Sequence, residues 1–178
     1  SHLIQGKIIT DYLFSLGKFN VDILYRENYS AIYWSFAYIL TTMFPSQYQI
    51  EISHIVNLTF SLGTIVGVGK LNKEIFNKNV GKIVFLILFF YPTFFGHMAF
   101  NSKDTILAFG HIWITYLILR YLKKQNVKEK ANSYIFYIAL IAALSMGIQL
   151  VFLGSLIPII LFILVDIFCY SRRVYHFD

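Results

Sequence analysis

Long apolar runs, each bordered by a short cluster of positive charge, set the pattern of this chain. Residues 50–69, 83–119 and 134–170 are dominated by Ile, Leu, Val, Phe and Tyr. A helix rises 1.5 Å per residue, so about 20 residues cross a hydrocarbon core of roughly 30 Å. Residues 50–69 therefore make one crossing, and the longer run 83–119 makes two with a turn between them. The polar groups that such a turn requires stand at Gly96, His97, Asn101, Ser102, Lys103 and Asp104. Residues 134–170 read as a second hairpin, bent near Gly147, Gln149 and Gly154, with one long tilted helix as the alternative. Ahead of all these, residues 30–44 are apolar and aromatic but too short to span, and Pro45 closes them. They are predicted to lie as a helix in the membrane interface.

Charge placement orients these segments. Lys70, Lys73, Lys78 and Lys82 form one cluster, Arg120, Lys123, Lys124, Lys128 and Lys130 a second, and Arg172 with Arg173 a third. Lys and Arg are retained on the cytoplasmic side in short loops, so all three clusters are expected inside the cell. The turn from His97 to Asp104 then faces outside. The predicted fold is all-α: a polytopic transmembrane bundle with about five spans (50–69, 83–97, 105–122, 134–148 and 152–170) within residues 50–178. Residues 1–49 form an external N-terminal loop that contains the interfacial helix.

Composition narrows the class further. Hydrophobic residues make up 57% of the 178 positions and charged residues 13%, with a mean hydropathy of +0.63. Soluble domains carry about a quarter charged residues, so the solvent expected here is a lipid bilayer. The net charge of +6 sits in clusters rather than along one face, which argues against a nucleic-acid partner. Cys169 is the single cysteine, so no internal disulfide can form. The chain opens on Ser1 rather than Met, which reads as a piece of a larger protein.

The stretch Tyr91-Pro92-Thr93-Phe94-Phe95-Gly96-His97-Met98-Ala99-Phe100-Asn101-Ser102-Lys103-Asp104 places an imidazole, an amide, an ammonium and a carboxylate close together. Together they can grip a phosphorylated or hydroxylated ligand. The plainer alternative is that Asn101, Ser102 and Asp104 cap the following helix, because their side chains accept hydrogen bonds from free helix N–H groups. His54 and His111 lie within apolar runs and read as packing residues. Glu51 and Asp166, near span ends, are assigned no role, and Asp11, Asp22, Arg26 and Glu27 read as solvated loop charges. No zinc-binding HExxH, phosphate-cradling glycine loop, GxSxG elbow or internal repeat is present.

The order of these features resembles bacterial membrane glycosyltransferases of the GT-C superfamily, in particular the family 39 type related to dolichyl-phosphate-mannose protein mannosyltransferases. Phe95-Gly96-His97 with Phe100-Asn101-Ser102-Lys103-Asp104 is similar to a family pattern F-G-H-x-F-F-N-P-K-D, with Ser102 in place of Pro and Ala99 in place of one aromatic. Glu51-Ile52-Ser53-His54-Ile55-Val56-Asn57 followed by Lys70 to Lys82 looks like the family's second helix and first cytoplasmic loop, and residues 29–45 like its juxtamembrane helix.

The resemblance implies transfer of a sugar from a polyprenyl-phosphate carrier to an acceptor at the outer face of a bacterial inner membrane. It implies catalytic roles for Asp104 and His97 in positioning acceptor or sugar, and donor-binding roles for Lys103 at the phosphate and for Asn101. Gln149 falls where relatives often carry a basic residue, and its neutral amide weakens that contact. His2 with Gly6-Lys7 looks like the tail of the segment holding the family's general base, which places the base itself before Ser1. Asp104 and His97 are alternatively candidate ligands for a divalent metal cofactor, an incomplete set by themselves. The aromatic face of Tyr33, Trp34, Phe36 and Tyr38 is expected to wall a groove for the prenyl chain. Two other classes fit the hydropathy: a transporter or flippase of lipid-linked sugars, and a membrane subunit without chemistry of its own.

Overall fold

A computed structural model describes residues 2–18, 31–100, 104–124 and 128–175, and among these every regular element is helical. The all-α expectation therefore holds. The side chains of Lys128, Lys130, Arg172 and Arg173 lie outside the described residues, as do Asp22, Arg26 and Glu27.

The helices are α1 (His2–Phe14), α2 (Ala31–Thr42), α3 (Gln49–Ile75), α4 (Lys78–Phe90), α5 (Pro92–His97), α6 (Asp104–Lys124), α7 (Lys128–Ile148) and α8 (Phe152–Tyr175). A 3-10 turn, Ser46–Tyr48, follows Pro45 and leads into α3. Two of these differ from the sequence reading. The N-terminal region contains α1, which docks on α2 where Gly6 lies against the Trp34 carbonyl. Residues 83–97 are not one helix: α4 stops at Phe90, Tyr91 is extended (φ −69°, ψ 114°), and Pro92 opens α5. Proline disfavours helical geometry in the residue before it and suits the first position of the next helix, which accounts for both the break and the restart.

α3 and α6 run in the same direction. Contacts climb both together, from Asn57 with Thr105, through Gly67 with Ile112, to Glu74 with Arg120. Gly67 has room for no side chain at this crossing, since a Cβ there would fall 2.9 Å from Ile112. α4 turns back along α3 after Phe76 and Asn77, and the Asn77 side chain caps it by accepting hydrogen bonds from the Asn79 and Val80 N–H groups, both at 3.0 Å. α7 returns along α6, with Gly110 set against Ser145, a small-to-small contact of the kind that lets helices approach closely.

This arrangement brings two basic clusters to one end of the bundle. Glu74, at the end of α3, pairs with Arg120 at 2.9 Å and Lys123 at 3.0 Å on α6. The hydrogen bond from Lys123, and then the two positive charges, hold the Glu74 carboxyl below its ordinary value. The tie is therefore complete above the ordinary carboxylate range and is lost as pH falls through the depressed folded-state value.

Among the described residues, α3 with its preceding turn (Ser46–Ile75) and α6 (Asp104–Lys124) are long and apolar enough to cross a membrane. Large apolar side chains are exposed along much of the molecule. On α4, Ile83, Leu86, Ile87 and Phe90 are 51–72% exposed, and Phe136 on α7 and Val165 on α8 exceed 60%. Apolar surface on this scale marks a face that meets lipid or another protein.

Candidate functional site

At the end of the bundle opposite Glu74, a buried polar brace fixes the turn that follows His97. Asn57, Ser61 and Thr64 recur at helical spacing on α3 and are all buried. The Asn57 amide donates to the Met98 carbonyl at 3.0 Å, and the Ser61 hydroxyl donates to the same oxygen at 2.8 Å. Asn57 Oδ1 accepts from the Thr105 hydroxyl at 2.9 Å. Thr64 donates back to Phe60 O at 3.0 Å and approaches Thr105 O at 3.4 Å. Met98 is 2% exposed, and two residues further on Phe100 meets His54 edge-on at 4.9 Å between ring centroids. A buried carbonyl without a partner costs free energy, so satisfying Met98 twice holds the turn in register with α3 and α6.

The brace sets the positions of two residues singled out by sequence. His97 ends α5 and is exposed. Asp104 begins α6 and is exposed, one residue before the buried Thr105; the partial positive charge of a helix N-terminus favours a carboxylate there. Asn101, Ser102 and Lys103, between them, lie outside the described residues. Gln149 occupies the bend between α7 and α8, where its N–H donates to Ser145 O at 3.2 Å and its carbonyl accepts from the Phe152 N–H at 3.0 Å. Ile106 and Ile148 share one core cluster with Tyr33, Ala37 and Val56, so the Asp104 and Gln149 ends of α6 and α7 meet at the same end of the bundle. His2 opens α1, and its side chain lies outside the described residues. Among the described residues no three His, Cys, Asp or Glu side chains come together as a metal site.

Beside the brace lies an apolar cavity of about 280 Å³. Ile32, Tyr33 and Phe36 of α2 form one wall, Phe60 of α3 and Ile106 and Phe109 of α6 another, and Ile141, Leu144, Ser145 and Ile148 of α7 the third. The aromatic face expected of α2 is thus divided. Tyr33 and Phe36 line the cavity, whereas Trp34 and Tyr38 lie against Gly6 of α1. Burial pushes the Tyr33 hydroxyl up to about 12, and the hydroxyl donates to Ser53 O at 3.4 Å.

His111 packs as expected, with its ring 4.3 Å from that of Phe152 and its Nε2 3.0 Å from the Ser155 hydroxyl. The brace residues Ser61, Thr64 and Thr105 were not among the candidates from sequence. Their signal is the stripe Asn57, Ser61, Thr64 on one helix face of an otherwise apolar segment, where polar groups turn toward a partner rather than lipid. Comparison with protein families, with characterised proteins and with solved structures found no match.

Proposed function

We propose that this chain belongs to a membrane glycosyltransferase that moves a sugar from a polyprenyl-phosphate carrier to an acceptor at the outer face of a bacterial inner membrane. The observation that carries this reading is the braced turn: exposed His97 and Asp104 sit at the end of the bundle where an apolar cavity opens between α2, α6 and α7. A polar catalytic edge beside a greasy slot suits a substrate that is half sugar phosphate and half hydrocarbon. The remaining expectations belong to the same reading: about five crossings, the lysine clusters inside and the turn outside.

In the reaction, the bond between the sugar's anomeric carbon and the carrier phosphate oxygen breaks, and a bond to the acceptor hydroxyl oxygen forms. The hydroxyl proton passes to a carboxylate, and the polyprenyl phosphate leaves. Asp104 and His97 hold acceptor or sugar by hydrogen bonds, and Lys103 meets the phosphate as its charge builds. Asn101 and His2 contribute donor contacts, and Gln149 makes a neutral one.

The test is transfer of labelled sugar from a polyprenyl-phosphate donor by membranes containing the full-length protein. Leu144 lines the cavity and is 47% exposed, so Leu144→Trp fills the slot without disturbing a buried core position. It is expected to raise KM for a long-chain donor by about tenfold while leaving a short-chain donor unaffected, the scale of one lost apolar contact. Equal effects on both chain lengths would remove the cavity from the proposal. No transfer from any polyprenyl-phosphate sugar would remove the proposal itself.

A further inference from the structure

We infer that the groove between α3 and α4, at the opposite end of the bundle from the braced turn, binds the headgroup phosphate of an anionic phospholipid. The groove encloses about 480 Å³ and is rimmed by Lys70, Lys73, Lys78 and Lys82. Its shape follows from two glycines. A Cβ on Gly81 would fall 2.7 Å from the Gly69 carbonyl oxygen and 2.9 Å from Lys73 Cβ, so the bare backbones lie together and the lysines stand around the contact. Lys70 is further fixed by Trp113 of α6, whose ring centroid is 5.1 Å from Nζ, within the range of a cation–π contact.

The positive charge of this rim is not neutralised among the described residues. At this end Arg120 and Lys123 of α6 occupy the Glu74 carboxylate, and the side chain of Glu129, at the start of α7, lies outside the described residues. Lys73, Lys78 and Lys82 line the groove with their side chains, with Lys70 beside them, so positive charge gathers around one site, and phosphate chemistry satisfies several of these charges at once.

The choice of lipid over a soluble phosphate rests on the rest of the lining. Val66, Phe85 and Leu86 form an apolar wall beyond the lysines. That wall continues along α4 as the exposed face of Ile83, Ile87 and Phe90. A soluble anion would use the rim and leave this wall without a partner, whereas a phospholipid sets its phosphate among the lysines and lays its acyl chains along α4. Basic pockets between helices are a general means of holding anionic headgroups. The inference rests on membrane embedding and is independent of sugar transfer.

Native mass spectrometry of the full chain in detergent, offered equal amounts of phosphatidylglycerol and phosphatidylcholine, tests it. The wild type is expected to retain phosphatidylglycerol more tightly by on the order of a hundredfold, the sum of about 1 kcal/mol from each of Lys73, Lys78 and Lys82 at a membrane surface. Lys73→Gln, Lys78→Gln and Lys82→Gln combined should reduce that preference to the phosphatidylcholine level, while the corresponding three Lys→Arg changes keep it. Equal retention of both lipids by the wild type would overturn the inference, as would an undiminished preference in the glutamine variant. Displacement of the lipid by inorganic phosphate would also overturn it, because the site would then be one for a soluble anion.

Discussion

Asp104→Ala in the full-length protein is expected to abolish sugar transfer while leaving expression and membrane insertion intact. Asp104 is exposed at the first position of α6, so its removal opens no cavity. The structural cost includes one favourable charge at a helix N-terminus, about 0.3–1 kcal/mol. Losing the group that positions acceptor or sugar costs on the order of 10² or more in rate. Asp104→Asn separates the two contributions, since the amide retains the size and a hydrogen-bond acceptor but neither charge nor basicity. Turnover of labelled donor by membranes carrying each variant gives the answer. Normal turnover in Asp104→Ala would take this residue out of the proposed mechanism.

The second large effect concerns a residue that does not touch substrate. Asn57→Leu is expected to lower turnover by about a hundredfold, because a shift of roughly 1 Å in a catalytic group costs that much. Asn57 is 1% exposed and links the Met98 carbonyl to the Thr105 hydroxyl, so its loss removes the contact at Thr105 and one of the two donors to the Met98 carbonyl, the other being Ser61. The stability cost is about 1–2 kcal/mol, in the range for polar contacts between helices. A double-mutant cycle with Thr105→Val isolates the link, since removing both partners leaves less unsatisfied than removing one. Additive losses in detergent unfolding, together with unchanged turnover in Asn57→Leu, would show that the brace does not position the turn.

The helical segments were legible because apolar runs between charge clusters leave few alternatives. α3 contains the predicted 50–69, α6 the predicted 105–122, and α2 falls within the predicted 30–44. That the first two lysine-rich clusters share one end also followed from charge alone, and the parallel course of α3 and α6 brings Glu74 to Arg120 and Lys123. Glu74 itself gave no sign in sequence, since its partners on α6 lie far along the chain.

Other features were hidden for similar reasons. α1 mixes Gln5, Lys7 and Asp11 with its apolar residues and shows no clear face, and its docking depends on Gly6 meeting the Trp34 backbone. The stop at Phe90 depended on how Pro92 would be used, because proline bends some spans and ends others. Within the candidate site, His97 and Asp104 stood out as polar residues amid apolar ones. The brace did not, because its key acceptor is a backbone carbonyl, at Met98, and no residue type announces a carbonyl. The lysine groove was likewise invisible: the lysines signalled orientation, but only the Gly69 and Gly81 contact arranges them around a cavity.

The most direct test is to map two ends of the bundle onto two sides of a membrane. In a Cys169→Ser background, Ser102→Cys reports on the turn between α5 and α6, and Asn79→Cys reports on the exposed start of α4 beside the lysine groove. An impermeant maleimide added to intact cells should label the first, and should label the second only after the cells are opened. Labelling of both from the same side, or of Asn79→Cys alone in intact cells, would contradict the orientation and with it sugar transfer at the outer face.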